Sequence, residues 1–461
     1  MGFYNGIYVG TSLVHHIRNW VLGPGLEYLF SGTAVRSLTG TAARPFATNW
    51  RLFGGELPEP DEEVFVVQIR AGILRDKLDA LGFGEQVVRD SLDHYNLAKL
   101  ESATFRLVLG RAGRSRSLKA GQPEVQPDGL TIESAILALD EDEALAMIRE
   151  AQEEIAMLGT FDFEAWTEAT RHQIRSAPRK YLVDGKPQLH PFDDYADIRV
   201  VLATIVDIVP GDKLITLDVT DEDGGSRIKA GNNAVWDAPA SWDLGHEPAI
   251  VLTEGSFDAH ALGYGLRLLR PHLVPLIKFF EHDLGVEGGA GAAIKTLKSF
   301  TAAGIRNRVV ALLDNDSAAH DAALALRRFE LPGHFTVLHY PDLALAKKYP
   351  TLGPQGDAIM DVNGLAGAIE LYLGSDVLLD ETGTLNPVQW KGRMPGIKRY
   401  QGEIVDKALI QKRFLTKVKA LERNPELHGS QDWSGIDAII DSLLRTLRSL
   451  PASAPDRTWH L

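Results

Sequence analysis

The sequence predicts an α/β protein: a parallel-sheet domain over residues 246–374, an α+β module before it and a helical, basic region after it. Three patterns carry the prediction. Apolar runs of strand length alternate with helix-like segments in the middle of the chain; apolar residues at three-to-four spacing recur on both flanks; and Gly, Pro and Asp gather between these elements. Buried parallel strands read as continuous apolar runs because helices cover both faces of such a sheet.

Residues 1–195 form the first module. A short strand is expected at "NGIYVG" and helices at "VVQIRAGILRDKLDALG" and "TIESAILALDEDEALAMIREAQEEIAMLG", whereas "AGRSRSLKAGQPEVQPDG" has the breakers of an exposed loop. In residues 196–245, β-branched alternation with turn signals at "PGD" and "EDGG" predicts strands joined by hairpins, an insert or linker. The parallel domain then runs through "PAIVLTEG", "SFDAHALGYGLRLL", "LVPLIKFF", "GAAIKTLKSFTAAG", "RVVALLDND", "AAHDAALALRRFE" and "HFTVLHY". From Leu352 the tail reads as helical, through "LAGAIELYLG", "VDKALIQKRFLTKVKALER" and "IDAIIDSLLRTLRSL", and residues 375–461 make the basic C-terminal region.

Composition narrows the function. A chain of 461 residues with 44% hydrophobic and 24% charged residues has material for roughly two to four domains. Its net charge of -14 disfavours coating of nucleic acid by charge alone, so a polyanion must meet a local basic patch or a metal ion. Cysteine is absent, which excludes disulfides, thiolate nucleophiles and Cys-ligated zinc. No signal sequence or membrane span is expected, and the reading is a soluble, cytoplasmic protein.

Two strands of the parallel domain end in acids. "AIVLTEGSFD" sets Glu254 at one strand end with Asp258 a helical turn further, and "VVALLDND" sets Asp314 and Asp316 at another. Ligands of open α/β sheets bind outside the carboxyl ends of the strands. Acids converging there repel unless a cation lies between them, and all-oxygen ligands suit Mg²⁺ or Mn²⁺. Solvated acids at strand ends are the competing account, and Asp-x-Asp also occurs at Asp140/Asp142 and Asp221/Asp223.

Other motifs carry less. "GVEGGAGAAIKT" has Ile294 where a nucleotide-hydrolase loop needs Gly before its Lys, which excludes ATP hydrolysis there; an anion nest with Lys295 or Lys298, or close helix–strand packing, explains its glycines. From Lys391 to Arg423 ten basic residues stand against three acids. This run, with Lys398, Arg399, Lys412 and Arg413, suits either a phosphate backbone, with Tyr400 and Phe414 for stacking, or a solvated helix face.

The ordered pair "VLTEGSFDA" and "ALLDNDSAA", one βα unit apart, resembles the Toprim domain, the metal-binding fold shared by topoisomerases, bacterial primases and nucleases of the overcoming-lysogenization-defect class. With "MGFYNGIYVG", "FFEHDLGVEGGAGAAIKTLKSFTAAGIRNRVVALLDNDSAAHDA" and "DVNGLAGAIELYLG", the chain is similar to bacterial HEPN/Toprim-associated proteins, best over residues 248–374. The resemblance implies that Glu254 is a general acid/base or metal ligand and that Asp314 and Asp316 bind Mg²⁺ or Mn²⁺. Asp258 would be an accessory acid, and Glu370 would complete a second metal position or belong to a buried helix. Arg89/His94 fits the Arg-to-His spacing of helical HEPN ribonucleases, but Arg267/His272 and Arg423/His428 fit it too, so chance explains the match.

The expected function is therefore a metal-dependent endonuclease acting on DNA or RNA in bacterial defence against phage or plasmids. A partner protein or ATPase and a homo-oligomeric assembly are expected with it. The alternative is a non-cleaving nucleic-acid or nucleotide sensor or scaffold on the same fold. A primase or a topoisomerase fits less well, for want of a zinc module and of strand-passage domains.

Overall fold

The computed structural model describes residues 4–18, 29–30, 33–46, 63–89, 182–183, 186–187, 198–220, 247–281, 287–354 and 356–451. Its first element is a hairpin of β1 (Tyr4–Val9) and β2 (Ser12–Arg18), turned at Gly10. β3 (Val35–Leu38), β4 (Val64–Arg70) and α1 (Ala71–Ala80) follow, then α2 (Ile198–Ile208) and β5 (Leu214–Asp218). β5 inserts between β1 and β4, giving an antiparallel sheet ordered β2-β1-β5-β4-β3.

Two expectations change here. The run "IRVVLATIVDI" is a helix, not a strand, and β5 belongs to the N-terminal sheet, so residues 196–220 are no separate insert. The run is buried at every position from Val200 to Val206, and a helix surrounded by apolar neighbours shows no polar stripe to reveal its period. In "VVQIRAGILRDKLDALG" only the second half is helical, because its first half is the buried strand β4. The predicted helix at 131–159, the loop at 112–129 and the turn at "EDGG" lie outside the described residues.

The middle of the chain alternates as predicted: β6 (Ala249–Leu252), α3 (Ser256–Leu269), β7 (Ile277–Phe279), α4 (Ala290–Ala302), β8 (Val309–Leu313), then a two-residue β9 (Asn315–Asp316), α5 (Ser317–Ala323) and β10 (Phe335–His339). Strands pair in parallel in the order β10-β8-β6-β7. The protein is thus of mixed α/β class with a parallel sheet. β6 and β8 lie side by side while their following strands leave in opposite directions, which opens a crevice at their carboxyl ends.

The remaining elements are β11 (Tyr349–Gly353), β12 (Gly356–Met360), β13 (Ala366–Gly367), β14 (Val388–Met394), β15 (Arg399–Ile404), α6 (Lys407–Arg423) and α7 (Ser434–Ser449). The tail is therefore not wholly helical. A second sheet, β12-β11-β14-β15, precedes the two helices, and β13 pairs antiparallel with β9. "LAGAIELYLG" gives β13 and a single 3₁₀ turn, Ile369–Tyr372, rather than a helix.

One apolar cluster joins the three predicted parts, including Leu74, Leu202, Leu262, Val310, Ile436 and Leu443. α7 packs against both α1 and α3, tying the ends of the chain together. Lys417 is a second tie. Its ammonium is 5% exposed and donates to Leu373 O at 2.9 Å, Asp376 Oδ1 at 2.8 Å and Asp432 O, over the ring of Trp433. Lys417→Ala leaves these acceptors unpaired, and denaturant titration is expected to show a loss of about 2–4 kcal/mol. Among the described residues no helix is long and apolar enough to cross a membrane.

Candidate functional site

β6 and β8 end side by side, so the first acids beyond each end must meet. Asp314 follows β8 directly, and its backbone N–H donates to Glu254 Oε1 at 2.9 Å, joining the two strand ends through one carboxylate. Gly289 at the start of α4 donates to Glu254 O at 2.6 Å. Gly288 lies so close that an added Cβ would stand 3.0 Å from the same oxygen. Gly288 and Gly289 thus serve close approach of the α4 start to Glu254, and the N–H of Ala290 is also spent on the Glu254 carboxylate.

Three further acids complete the cluster. Asp258, one turn into α3, accepts from the buried Tyr340 hydroxyl at 3.0 Å. Asp316 caps α5, accepting from Ala319 N at 2.8 Å through Oδ1 and from Gln401 Nε2 at 2.6 Å through Oδ2. Glu370, 0% exposed in the 3₁₀ turn, accepts from Gln411 Nε2 at 2.7 Å and pairs with Lys407 Nζ at 3.3 Å, both through Oε1. Lys407 and Gln411 stand four apart on one face of α6, so a single helix supplies both contacts. The acid site is thus closed by α6 from outside the parallel domain.

Two carboxylate oxygens in this cluster are buried with no hydrogen-bond partner, Asp314 Oδ1 and Glu370 Oε2. An unpaired buried acceptor carries its full desolvation cost, so these atoms are the ones a bound cation or a proton would satisfy. Electrostatics agree. Burial first, then Asp258, Glu254, Asp316 and Glu370, push the Asp314 carboxyl well above its usual range. Glu254 is raised to about 7 by burial and by Asp316 and Asp258, against the opposing N–H of Asp314. Asp258 is raised to about 6, by burial and then by Glu370, with Tyr340 and Lys407 opposing. Among the described residues no group of three or more His, Asp or Glu side chains already stands in metal-ligand array.

All five predicted acids therefore converge, although Asp314 and Asp316 do not share a strand face: β8 ends before Asp314, and Asp316 has already turned into the α5 cap. The predicted cations do not converge. Lys295 faces Glu287 at 3.9 Å on the exposed side of α4, and Lys298 donates to Ala325 O over the Phe329 ring. Arg413 donates to Leu379 O and Asn386 Oδ1, Lys412 is exposed on α6, and Lys398 is exposed at the β14–β15 turn. Arg399 alone lies near the acids. Phe414 is 0% exposed, edge-on to Trp433, so it stacks in the core rather than on a base; Tyr400 is 61% exposed. Arg89 pairs with Glu85, His94 lies outside the described residues, and His272 binds Asp76.

Sequence reasoning missed Tyr340, Lys407, Gln401 and Gln411 as members of the site. Tyr340 stands just past the end of β10, the third strand to end at this edge, which is the one signal available. Compared with protein-family models, curated proteins and solved structures, the chain shows no match to any of them.

Proposed function

We propose that the protein is a metal-dependent phosphodiesterase acting on nucleic acid, of the Toprim class that its two acid-ended strands resemble. The observation that carries this reading is the pair of buried, unpartnered carboxylate oxygens, Asp314 Oδ1 and Glu370 Oε2, within a five-acid cluster at the crevice of a parallel sheet. Hard divalent cations such as Mg²⁺ or Mn²⁺ take oxygen ligands of this kind. In this reading Asp314, Glu254 and Asp316 would hold the ion, with Asp258 and Glu370 behind them, and the side chains would have to draw together around it, since among the described residues no three of them already stand in ligand array.

Such an ion supplies Lewis-acid polarisation of a phosphoryl oxygen and a nucleophilic water at neutral pH. The chain's own residues do the rest. Glu254, at the end of β6 beside Asp314, is the residue that would take a proton. Tyr340 and Gln401 hold Asp258 and Asp316 in fixed orientation. Lys407 offsets the charge of Glu370.

A second reading, a non-cleaving sensor or scaffold, is favoured by Asp316, both of whose oxygens are already bonded within the protein. Incubation of plasmid DNA, single-stranded DNA and RNA with Mg²⁺, Mn²⁺ or EDTA separates the two. The hydrolase reading expects metal-dependent cutting that Glu254→Gln abolishes. Cutting that persists in Glu254→Gln contradicts it, and binding without cutting selects the scaffold. A role in defence against phage or plasmids, with a partner protein or ATPase and a homo-oligomeric state, rests on the same resemblance.

A further inference from the structure

Beside the acid cluster lies a group of side chains that the hydrolytic site does not use. His339, at the end of β10, donates from Nδ1 to Asp314 O at 2.8 Å. Its ring stacks on that of His320, with centroids 4.0 Å apart and planes tilted by 31°. Asn315 Nδ2 donates to Asp342 Oδ1 at 2.9 Å, which leaves Asn315 Oδ1 to accept from His320 Nε2 at 3.1 Å. Both imidazoles are thereby fixed by one nitrogen each, with the other nitrogen unused by these bonds.

Arg399 meets this pair. A methyl group placed on Gly364, whose φ is +69°, would stand 3.8 Å from Arg399 Nη1, 3.8 Å from Asn315 Oδ1 and 3.9 Å from His320 Nε2. The three groups therefore all stand within van der Waals reach of one glycine. Burial, then His339 and Arg399, hold the His320 pKa below its ordinary value.

The β14–β15 hairpin that carries Arg399 is pinned onto α5. Ile397 N donates to Asp321 Oδ1 at 3.0 Å, Ser317 Oγ to Tyr400 O at 2.7 Å and Ala318 N to Gln401 Oε1 at 2.8 Å. Side chains two apart on a strand share a face, and Gln401 reaches Asp316 Oδ2. Arg399 is therefore held on the face that looks toward the acids, and Tyr400 on the other. Among the described residues the Arg399 guanidinium makes no ion pair, although Asp316 and Asp342 lie close enough to His320 to act on it. An unpaired guanidinium carried on a pinned hairpin beside an acid centre suits an anion that spans both, and a nucleic-acid strand carries phosphates at regular spacing.

We propose that Arg399 binds a non-scissile phosphodiester of the strand whose neighbouring phosphate reaches the acid cluster. The proposal rests on the phosphodiesterase reading and gives that site its strand-holding subsite.

The test is fluorescence anisotropy of labelled single-stranded DNA and RNA oligonucleotides with the full chain in EDTA, where no turnover occurs, alongside Mg²⁺-dependent cleavage. Arg399→Gln is compared with Lys419→Gln, an equal change of charge at an exposed position of α6. Arg399→Gln is expected to weaken binding about tenfold at low salt and to reduce the salt slope by about one, with Lys419→Gln within about twofold of wild type. Arg399→Lys is expected to restore part of it. Equal effects of Arg399→Gln and Lys419→Gln, no effect of Arg399→Gln, or no binding by wild type overturns the subsite. Selective loss of binding in a protein that never cleaves keeps the subsite and overturns the hydrolase, whereas cleavage with unchanged kcat/KM in Arg399→Gln does the reverse.

Discussion

Asp314→Asn is expected to abolish metal-dependent cleavage and, in the absence of metal, to make the folded protein more stable at about pH 8. The two effects have one cause. Asp314 is buried among Asp258, Glu254, Asp316 and Glu370, and its Oδ1 has no partner. At that pH its negative charge is disfavoured by desolvation and by every neighbouring acid. Asparagine keeps the shape, removes the charge and adds two donors within a cluster of acceptors. Removing the charge is expected to raise unfolding free energy in EDTA by about 1–3 kcal/mol. Turnover is expected to fall by about 100-fold or more, because a ligand to the ion is lost where charge develops. A destabilised Asp314→Asn protein would mean that this carboxylate is held by bonds rather than opposed by them. Thermal denaturation with a parallel cleavage assay reads both signs.

The second large effect is on pH. Glu254 is raised to about 7, Asp258 to about 6 and, away from this site, Asp79 to about 7 by burial and its acidic neighbours Asp207 and Asp76 against Arg448. A folded-state pKa above the unfolded value means that the native chain binds the proton more tightly. That contribution is complete below the ordinary carboxylate range and is lost as pH rises through about 6 and 7. The metal-free protein is therefore expected to have a lower Tm at about pH 8 than at about pH 5.5, with a difference of a few kcal/mol spread over the three groups. Saturating Mg²⁺ is expected to reverse the difference at the higher pH, where the acids are free to bind it, adding about 2.7 kcal/mol at a hundredfold excess over Kd. A Tm that rises steadily from about pH 5.5 to 8 in EDTA, unchanged by Mg²⁺, contradicts the account.

How far the sequence reveals this site follows from where each residue lies. Glu254, Asp258, Asp314 and Asp316 are legible because a parallel strand must be apolar until it leaves the core, so the first acid marks the sheet edge. Val309–Leu313 is buried throughout and Asp314 follows it. Lys407, Gln411 and Gln401 are not legible, because they reach the acids from α6 and β15, elements placed by packing of Phe414 on Phe257 and Trp433, of α6 on the 3₁₀ turn Ile369–Tyr372 and of β15 on α5. The same holds for the basic run. Ten cations look like a patch in the sequence, yet Lys417 is buried in an ion pair, Arg413 binds a carbonyl, and of those described above only Lys407, which serves Glu370, and Arg399 turn to the site. The β14–β15 hairpin escaped notice for a related reason: its charged and glycine-rich strands lack the apolar alternation of a half-buried sheet, and only Pro395–Gly396 signals a turn. The helix "IRVVLATIVDI" reads as strand because burial on all sides erases its period.

The central claim is that the five acids hold a divalent cation, and calorimetric titration of Mn²⁺ into metal-stripped protein tests it most directly. Saturable binding is expected in wild type, lost in Asp314→Asn and weakened in Glu370→Gln, with Lys417→Met as a variant that loses stability while keeping the metal. Absence of binding in wild type, or equal binding in wild type and Asp314→Asn, would show that the carboxylates at this sheet edge are satisfied by protons and by their protein partners rather than by metal.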